Sequence, residues 1–432
     1  MIGIFILLTI IVIELVFRGI TIWKKKLFRK EKCVLNLLEL LLFMLLMIIR
    51  VIEWSFRWKL LLAVLILRGI IAAIILVRNQ AEKDYKISRT LLPFAGSLLL
   101  FIAVTIPAII FPQYEQLPTT GKYTFDTVSY TWEDVSRVET FKTDGSNRKV
   151  TVQFWYPKTK GEEKFPLVVF SHGAYGYRYS NYSTYAELAS NGYVVCSIDH
   201  TYHAFYTKQT DGKAITVNPE FMNSVSYANK DGVSEDEIFK ISRPWMDLRC
   251  SDMNFVIDTI EQKVVNTSED AVFSRIDSSK IGLMGHSMGG AASVTVGRLR
   301  TDIDAVIDLD GTMLGEELAC ENNRYIMNEA PYPIPLLSIN TTENYEEGLT
   351  YGSQYVNNVI LANAIDAKEV HFDGAGHMNF TDLPLYSPFL SNMLGSGEID
   401  SKYCITTMNA VILNYYNHYL KQSEELNIKS SY

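Results

Sequence analysis

Lys280-Ile-Gly-Leu-Met-Gly-His-Ser-Met-Gly-Gly290 reads as a buried strand running into the turn Gly285-His286-Ser287-Met288-Gly289 and then a helix. This is the pattern of a nucleophile elbow, a sharp strand-to-helix turn that lifts one serine out of a sheet. A serine hydroxyl is a weak nucleophile, so the turn must present Ser287 to a histidine and set a backbone N–H beside it toward developing negative charge. Gly285 and Gly289 remove side chains that would hold strand and helix apart, and Gly290, Ala291 and Ala292 let the helix pack closely behind. The pentapeptide G-x-S-x-G alone is a weak signal, since a serine can sit in any strand-to-helix turn. Context strengthens it: Ile281–Met284 supplies an apolar strand, Ala291–Leu299 a helix, and an acid and a histidine follow in the order Ser, Asp, His.

Around the elbow, short and nearly continuous apolar runs recur at Pro166–Ser171, Tyr193–Ile198, Ile303–Leu309 and Leu336–Ile339, which suits parallel strands buried on both faces. Helical patterns at Tyr182–Asn191, Trp245–Lys263, Gly289–Leu299 and Val356–Ala364 fill the crossovers, and Tyr403–Lys421 forms a last helix. Lys122–Trp132 and Lys149–Tyr156 alternate polar and apolar residues, as an antiparallel pair at a sheet edge does. The expected fold is therefore an α/β-hydrolase: a mostly parallel sheet with helices on both faces, spanning residues 113–432. The polar stretch His203–Pro244 is an insertion that reads equally well as a cap over the site or as a surface excursion.

Three histidines follow Ser287. His377, in Gly374-Ala-Gly-His-Met-Asn-Phe380 directly after the strand Glu369–Phe372, is placed to reach the nucleophile, whereas His371 lies within that strand and His418 on the last helix. The acid that orients a catalytic imidazole and stabilises its charged form is best sought at Asp310, at the end of a strand in Ile307-Asp-Leu-Asp-Gly-Thr312. Asp308 lies deeper in the same run, and Glu343, after Leu336–Ile339, is the alternative position. Two N–H donors complete an oxyanion hole: that of Met288 after the nucleophile, and that of Ala174 after Val168-Val-Phe-Ser-His-Gly173. His172 is expected to support that loop. Asp199-His200-x-x-His203 has two histidines three residues apart, but it enters an irregular polar loop and shows no further ligand set, and serine chemistry requires neither metal nor cofactor.

The rest of the chain is a different object. Residues 1–112 hold 15 Lys and Arg against 6 Asp and Glu, and the remainder 25 against 42, so the net charge of −8 averages a basic and an acidic part. An acidic second part argues against nucleic acid as a partner. Apolar stretches at Ile2–Trp23, Cys33–Ile52, Leu60–Val77 and Leu91–Phe111 each approach the roughly 20 residues that cross about 30 Å of hydrocarbon. Four membrane spans are expected, the third being the weakest because it is short and carries Arg68. Lys24, Lys25, Lys26, Arg29, Lys30 and Lys32 lie between the first two, and Arg78, Lys83, Lys86 and Arg89 between the last two, so these loops should be cytoplasmic and the domain after Phe111 extracytoplasmic. No positive residue precedes the first span, against a cleaved signal peptide. Glu14, Glu39 and Arg68 fall at similar depth, where mutual pairing is the plainest reading and a transport or signalling role the other. Of five cysteines, Cys250, Cys320 and Cys404 could supply one bridge in an oxidising compartment.

Several segments together resemble the platelet-activating-factor acetylhydrolase family of α/β-hydrolases, related to dienelactone and polyester hydrolases. They are Phe170-Ser-His-Gly-Ala-Tyr-Gly176, Tyr185-Ala-Glu-Leu-Ala-Ser-Asn-Gly-Tyr-Val194, the elbow, Leu309-Asp-Gly311 and His377-Met-Asn-Phe-Thr-Asp382. The resemblance implies a triad of Ser287, Asp310 and His377, favours Asp310 over Glu343, and assigns the loop N–H donor to Ala174. Gly311-Thr312 stands where the family has an aromatic pair, and the 203–244 insertion and the membrane spans lie outside the resemblance; these departures bear on the substrate. The expectation is a multi-pass cell-membrane serine esterase acting on short-chain or oxidised acyl esters of lipids, with the bilayer as its other partner. Two alternatives are an esterase for soluble or polymeric esters and a ligand sensor that signals through the spans.

Overall fold

In a computed structural model, which describes residues 2–79, 84–266 and 270–432, the chain divides into two compact units. One is Met1–Glu115 with Leu385–Leu390, the other Gln116–Pro384 with Ser391–Tyr432. Lys83 of the expected basic loop lies outside the described residues.

The first unit holds four helices, α1 (Ile2–Lys24), α2 (Arg29–Ile48), α3 (Phe56–Val77) and α4 (Ile87–Ile110). Among the described residues three are long and apolar enough to cross a membrane, namely α1, α3 and α4. This corrects the expected four. Helix α2 stops at Ile48, short of the expected Ile52, opens on Arg29, Lys30, Glu31 and Lys32 and carries Glu39 at its middle, so only residues 33–48 of it form an apolar run. The third stretch, expected to be the weakest, has the highest mean hydropathy of the three, 3.0, because between Leu60 and Val77 Arg68 is the one charge in a run rich in Leu, Ile, Val and Ala.

Arg68 ties the four helices together. Its guanidinium donates to Glu14 Oε1 of α1 at 2.7 Å and to Asn36 Oδ1 of α2 at 2.8 Å. It lies 3.3 Å from Glu39 Oε2 and 4.7 Å from the centre of the Phe101 ring of α4. Lys32 Nζ adds a second cation on Glu14 Oε1 at 2.7 Å. Mutual pairing therefore accounts for Glu14, Glu39 and Arg68 among these apolar helices.

The second unit is built on one eight-stranded sheet. Its strands are β1 (Phe125–Val138), β2 (Asn147–Pro157), β3 (Phe165–Ser171), β4 (Val194–Asp199), β5 (Ile276–His286), β6 (Ala305–Leu309), β7 (Leu336–Thr341) and β8 (Ala367–Phe372). The spatial order is β1-β2-β4-β3-β5-β6-β7-β8. Strands β3 to β8 pair in parallel, and β2 joins β1 and β4 antiparallel, as the alternation of Lys149–Tyr156 predicts. Along β3 successive residues serve opposite layers. Leu167 and Val169 pack with α7 (Glu235–Asn266) and α8 (Met288–Leu299), while Val168 and Phe170 pack with α5 (Tyr182–Ser190) and the last helix, Ser401–Tyr419. A strand covered on both faces needs apolar residues throughout, which is why these runs do not alternate.

The 203–244 region contains a small hairpin, Tyr206–Lys208 with Ala214–Thr216, and helix α6 (Pro219–Ala228). Helix α7 starts at Glu235, ten residues before the expected Trp245, and passes through Pro244. Its acidic first turn, Glu235-Asp-Glu237, favours a helix start there. All five cysteines are free thiols.

Removing the Arg68 cation leaves Glu14 and Glu39 to share Lys32, at 2.7 and 3.9 Å, with Arg18 3.9 Å from Glu14, and breaking a comparable buried pair costs about 3–5 kcal/mol. Arg68→Met is expected to lower the apparent unfolding temperature of the detergent-solubilised chain, followed by circular dichroism. Adding Glu14→Gln and Glu39→Gln is expected to recover part of the loss; an unchanged transition in the single variant would contradict the pairing role.

Candidate active site

The elbow is set by close backbone approach. Ser287 takes φ 56° and ψ −128°, a conformation that L-residues rarely hold, and α8 begins at the next residue. Its N–H donates to Leu309 O of β6 at 2.8 Å. A β-carbon at Gly289 would strike the Ser171 carbonyl, and one at Gly285 would strike the Gly289 backbone. Helix α8 therefore crosses β5 and the end of β3 at a distance that only glycine permits.

Asp310 follows directly on β6, with φ 54°. Its N–H donates to Ile339 O of β7 at 2.8 Å. Its Oδ1 accepts from Thr341 N at 2.7 Å and Asn344 Nδ2 at 3.2 Å, and its Oδ2 from His377 Nδ1 at 2.6 Å. The carboxylate is 4% exposed and the imidazole 40%, so the pair has a buried end and an open end. Glu343, in the first turn of α9 (Thr342–Tyr351), has no hydrogen bond to His377 among the described residues. His371 stacks on Tyr345 at 4.0 Å and His418 Nδ1 bonds Glu424 O at 2.8 Å, so both are engaged elsewhere.

The loop bearing His377 is held at two points. Asn379 Oδ1 accepts from Gly376 N at 3.0 Å and Gly397 N at 2.7 Å. His286, immediately before the nucleophile, donates from Nε2 to the His377 carbonyl at 3.0 Å, and the two rings stand 4.4 Å apart. Burial, with His377 beside it, pushes the His286 ring down to about 3, so it stays neutral and keeps one N–H for this contact. Sequence reasoning missed this role: the letter before the serine in G-x-S-x-G carries no pattern of its own.

Ala174 lies in the loop after β3, against the elbow; a β-carbon on Gly173 would come within 3.1 Å of Ser287 Cβ and 2.8 Å of His286 Nδ1. Among the described residues the Ala174 N–H makes no hydrogen bond. Met288 is the first residue of α8. The insertion packs on this loop: Phe205 N donates to Gly176 O at 2.9 Å and the Tyr175 hydroxyl to Met222 O at 3.2 Å. His172 and His200 are buried beneath it; His200 bonds Ser171 Oγ at 2.9 Å and Asp252 Oδ2 at 3.1 Å, which occupies both of its ring nitrogens. His203 stacks on Phe221 at 3.7 Å.

The chain matches the sequence model of the family described as platelet-activating factor acetylhydrolase, isoform II, over residues 137–431. The platelet-activating factor acetylhydrolase of Bos taurus is 25% identical over 292 residues, 62% of this chain and 60% of that protein. That of Cavia porcellus is 27% identical over 287 residues, with 62% and 60% covered. The chain thus spans about 60% of the length of these curated relatives. Cutinase 2 of Thermobifida cellulosilytica is 30% identical over 132 residues, 30% of this chain and 44% of that one. Among solved structures, a ferulic acid esterase from Streptomyces cinnamoneus aligns with a TM-score of 0.52 at 20% identity, covering 72% of this chain and 95% of that one, a likeness of fold.

Asp308 and Asp310 show how two residues of one strand end can take opposite charge states. At Asp310 burial works against ionisation, but the hydrogen bond and charge of His377 and the Thr341 N–H outweigh it and hold the carboxyl below the ordinary range. At Asp308, wholly buried under Gly290 of α8, burial and the neighbouring Asp310 charge push the carboxyl well above that range. A raised value means that the neutral form stabilises the fold in full below the unfolded-chain value of about 4 and that this contribution is lost as pH rises toward the folded value. Asp308→Asn, which cannot ionise, is therefore expected to raise the apparent unfolding temperature more at pH 8 than at pH 4. Equal shifts at both pH values would show that Asp308 is ionised in the fold.

Proposed function

The chain belongs to the platelet-activating factor acetylhydrolase, isoform II, family, and from that premise we propose that it is a membrane-anchored serine esterase acting on short-chain or oxidised acyl esters of lipids. The observation that carries the reading is the 2.6 Å contact between Asp310 and His377 beside a strained Ser287 elbow. In this mechanism His377 Nε2 takes the proton of Ser287 Oγ as that oxygen attacks the ester carbonyl. Asp310 holds Nδ1–H toward itself, which fixes the tautomer and stabilises the imidazolium that forms. The N–H groups of Ala174 and Met288 receive the negative charge on the former carbonyl oxygen. Collapse expels the alcohol, which takes the proton from His377, and leaves an acyl group on Ser287; the same histidine then activates water to release the acid.

Helices α1, α3 and α4 would anchor the enzyme in the cell membrane. With three crossings the basic loops at 24–32 and 78–89 fall on opposite faces of the membrane, so the expected placement of the hydrolase unit outside requires α2 to cross as well. A tethered enzyme meets lipid esters without first partitioning from solution. The partial likeness to a cutinase supports a second reading, in which the same residues act on a soluble or polymeric ester. The two differ in the substrate alone, since both use the acyl-enzyme on Ser287.

Hydrolysis of p-nitrophenyl esters from acetate to palmitate by the full chain tests both. Turnover confined to short acyl chains is expected, with none measurable in Ser287→Ala and a loss of about 10⁴-fold in kcat for Asp310→Asn, the size seen when this acid becomes an amide in a serine triad. Activity that survives Ser287→Ala would remove the serine mechanism, and efficient palmitate turnover would remove the short-chain reading.

A further inference from the structure

Arg249 of α7 is wholly buried and makes no ion pair among the described residues. Burying a cation is costly unless something compensates it. The compensation here is mostly backbone: one terminal guanidinium nitrogen donates to the His172 carbonyl and the other to the Gly173 carbonyl at 3.2 Å, while Nε donates to the ring Nδ1 of His203 at 3.4 Å. The Gly173 oxygen accepts two further bonds, from His172 Nδ1 at 2.7 Å and Gly176 N at 3.1 Å. Burial, with the Arg249 charge beside it, pushes His172 well below the ordinary histidine range. The neutral ring then has one donor for Gly173, and its Nε2 accepts from His200 N at 3.4 Å.

A trans peptide unit is planar, with its C=O and N–H pointing in opposite directions. Fixing the Gly173 oxygen on three donors therefore fixes the direction of the Ala174 N–H, which points away from Arg249 and makes no bond among the described residues. A β-carbon on Gly173 would come within 3.1 Å of Ser287 Cβ, so this stretch of the loop abuts the nucleophile. Ser171, one residue before His172, is pinned as well: its Oγ bonds His200 Nε2, and His200 Nδ1 bonds Asp252 Oδ2. These atoms repeat the connectivity of a hydrolase triad. Yet Ser171, His200 and Asp252 are all fully buried and Ser171 sits in extended β3, so the set braces the loop.

We infer that Arg249 is a positioning residue for the oxyanion donor: its guanidinium draws the His172 and Gly173 carbonyls to one side and so aims the Ala174 N–H at the substrate oxygen that becomes charged. This rests on the serine-esterase reading above. The guanidinium supplies two donors in a planar fork, so a lysine at this position keeps the charge but cannot bridge both carbonyls in the same geometry. The contribution should appear in the transition state and little in ground-state binding, because the oxyanion exists only after attack.

The test compares the full chain with Arg249→Met and Arg249→Lys, using p-nitrophenyl acetate. Rates are divided by the active sites that an exhaustive fluorophosphonate reaction counts at Ser287, and inhibition by an arylboronic acid, whose tetrahedral adduct fills the oxyanion site, is measured alongside. Loss of one oxyanion donor costs about 10²–10³-fold in kcat. Arg249→Met is expected to lose about 10²-fold in kcat per site with KM within about twofold and the boronate inhibition constant raised in parallel, and Arg249→Lys about tenfold. If Arg249→Met does not fold, Arg249→Lys decides alone. A kcat per site within twofold of the parent, or a loss confined to KM, overturns the inference. A parent chain that turns over no ester overturns the esterase reading itself, a result distinct from an active parent with active variants.

Discussion

The crossing of β5 by α8 at Ser287 is the constraint around which the second unit is arranged. A backbone forced to φ 56° at a non-glycine residue stores strain, and it persists because its surroundings over-determine it. The Ser287 N–H is tied to β6 through Leu309, the Gly289 backbone rests on the Ser171 carbonyl at the end of β3, and Gly311 lies against the Ser287 carbonyl. Three parallel strands thus end at one point. Each delivers one part there: the loop of Ala174, the elbow of Ser287, and the carboxylate of Asp310. In an open parallel sheet the carboxyl ends of neighbouring strands are where groups from distant parts of the chain meet.

Electrostatics then differentiates groups that look alike. Asp308 and Asp310 share a strand end, but one is sealed beneath α8 with a single N–H partner and the other receives two N–H groups and an imidazole. Buried cations differ in the same way. Arg148 is compensated by Asp252 and Glu139, Arg68 by Glu14 and Glu39, and Arg249 by two backbone carbonyls and the ring nitrogen of His203, with no carboxylate bonded to it. Ion pairs of the first kind hold elements together. A cation on carbonyls also orients peptide dipoles, which is why Arg249 acts on the loop that faces Ser287.

Legibility followed the range of the physics. The strand runs, the elbow and the crossover helices were readable because period and glycine spacing are local consequences of backbone geometry. Boundaries slipped at helix ends. The helix expected from Trp245 begins at Glu235 and passes through Pro244, and α2 stops at Ile48, short of the expected Ile52. The letters also left open whether Asp310 or Glu343 meets the histidine. In the fold Asp310 faces His377 because β6 ends beside β7, where Thr341 and Asn344 hold the carboxylate in place.

What the sequence determined by itself is the division into an apolar, basic helical part and an acidic α/β part, and the identity of a serine on a strand-to-helix turn, since each depends on residues within a few positions of one another. Only the tertiary structure decided the pairing of Arg68 across four helices, the clasp of His286 on the His377 loop, and the seat of Arg249 under Gly173. These partners lie tens of residues apart in the chain, up to 91 for His286 and His377, and no local pattern encodes a distance that exists only after the strands and helices have packed.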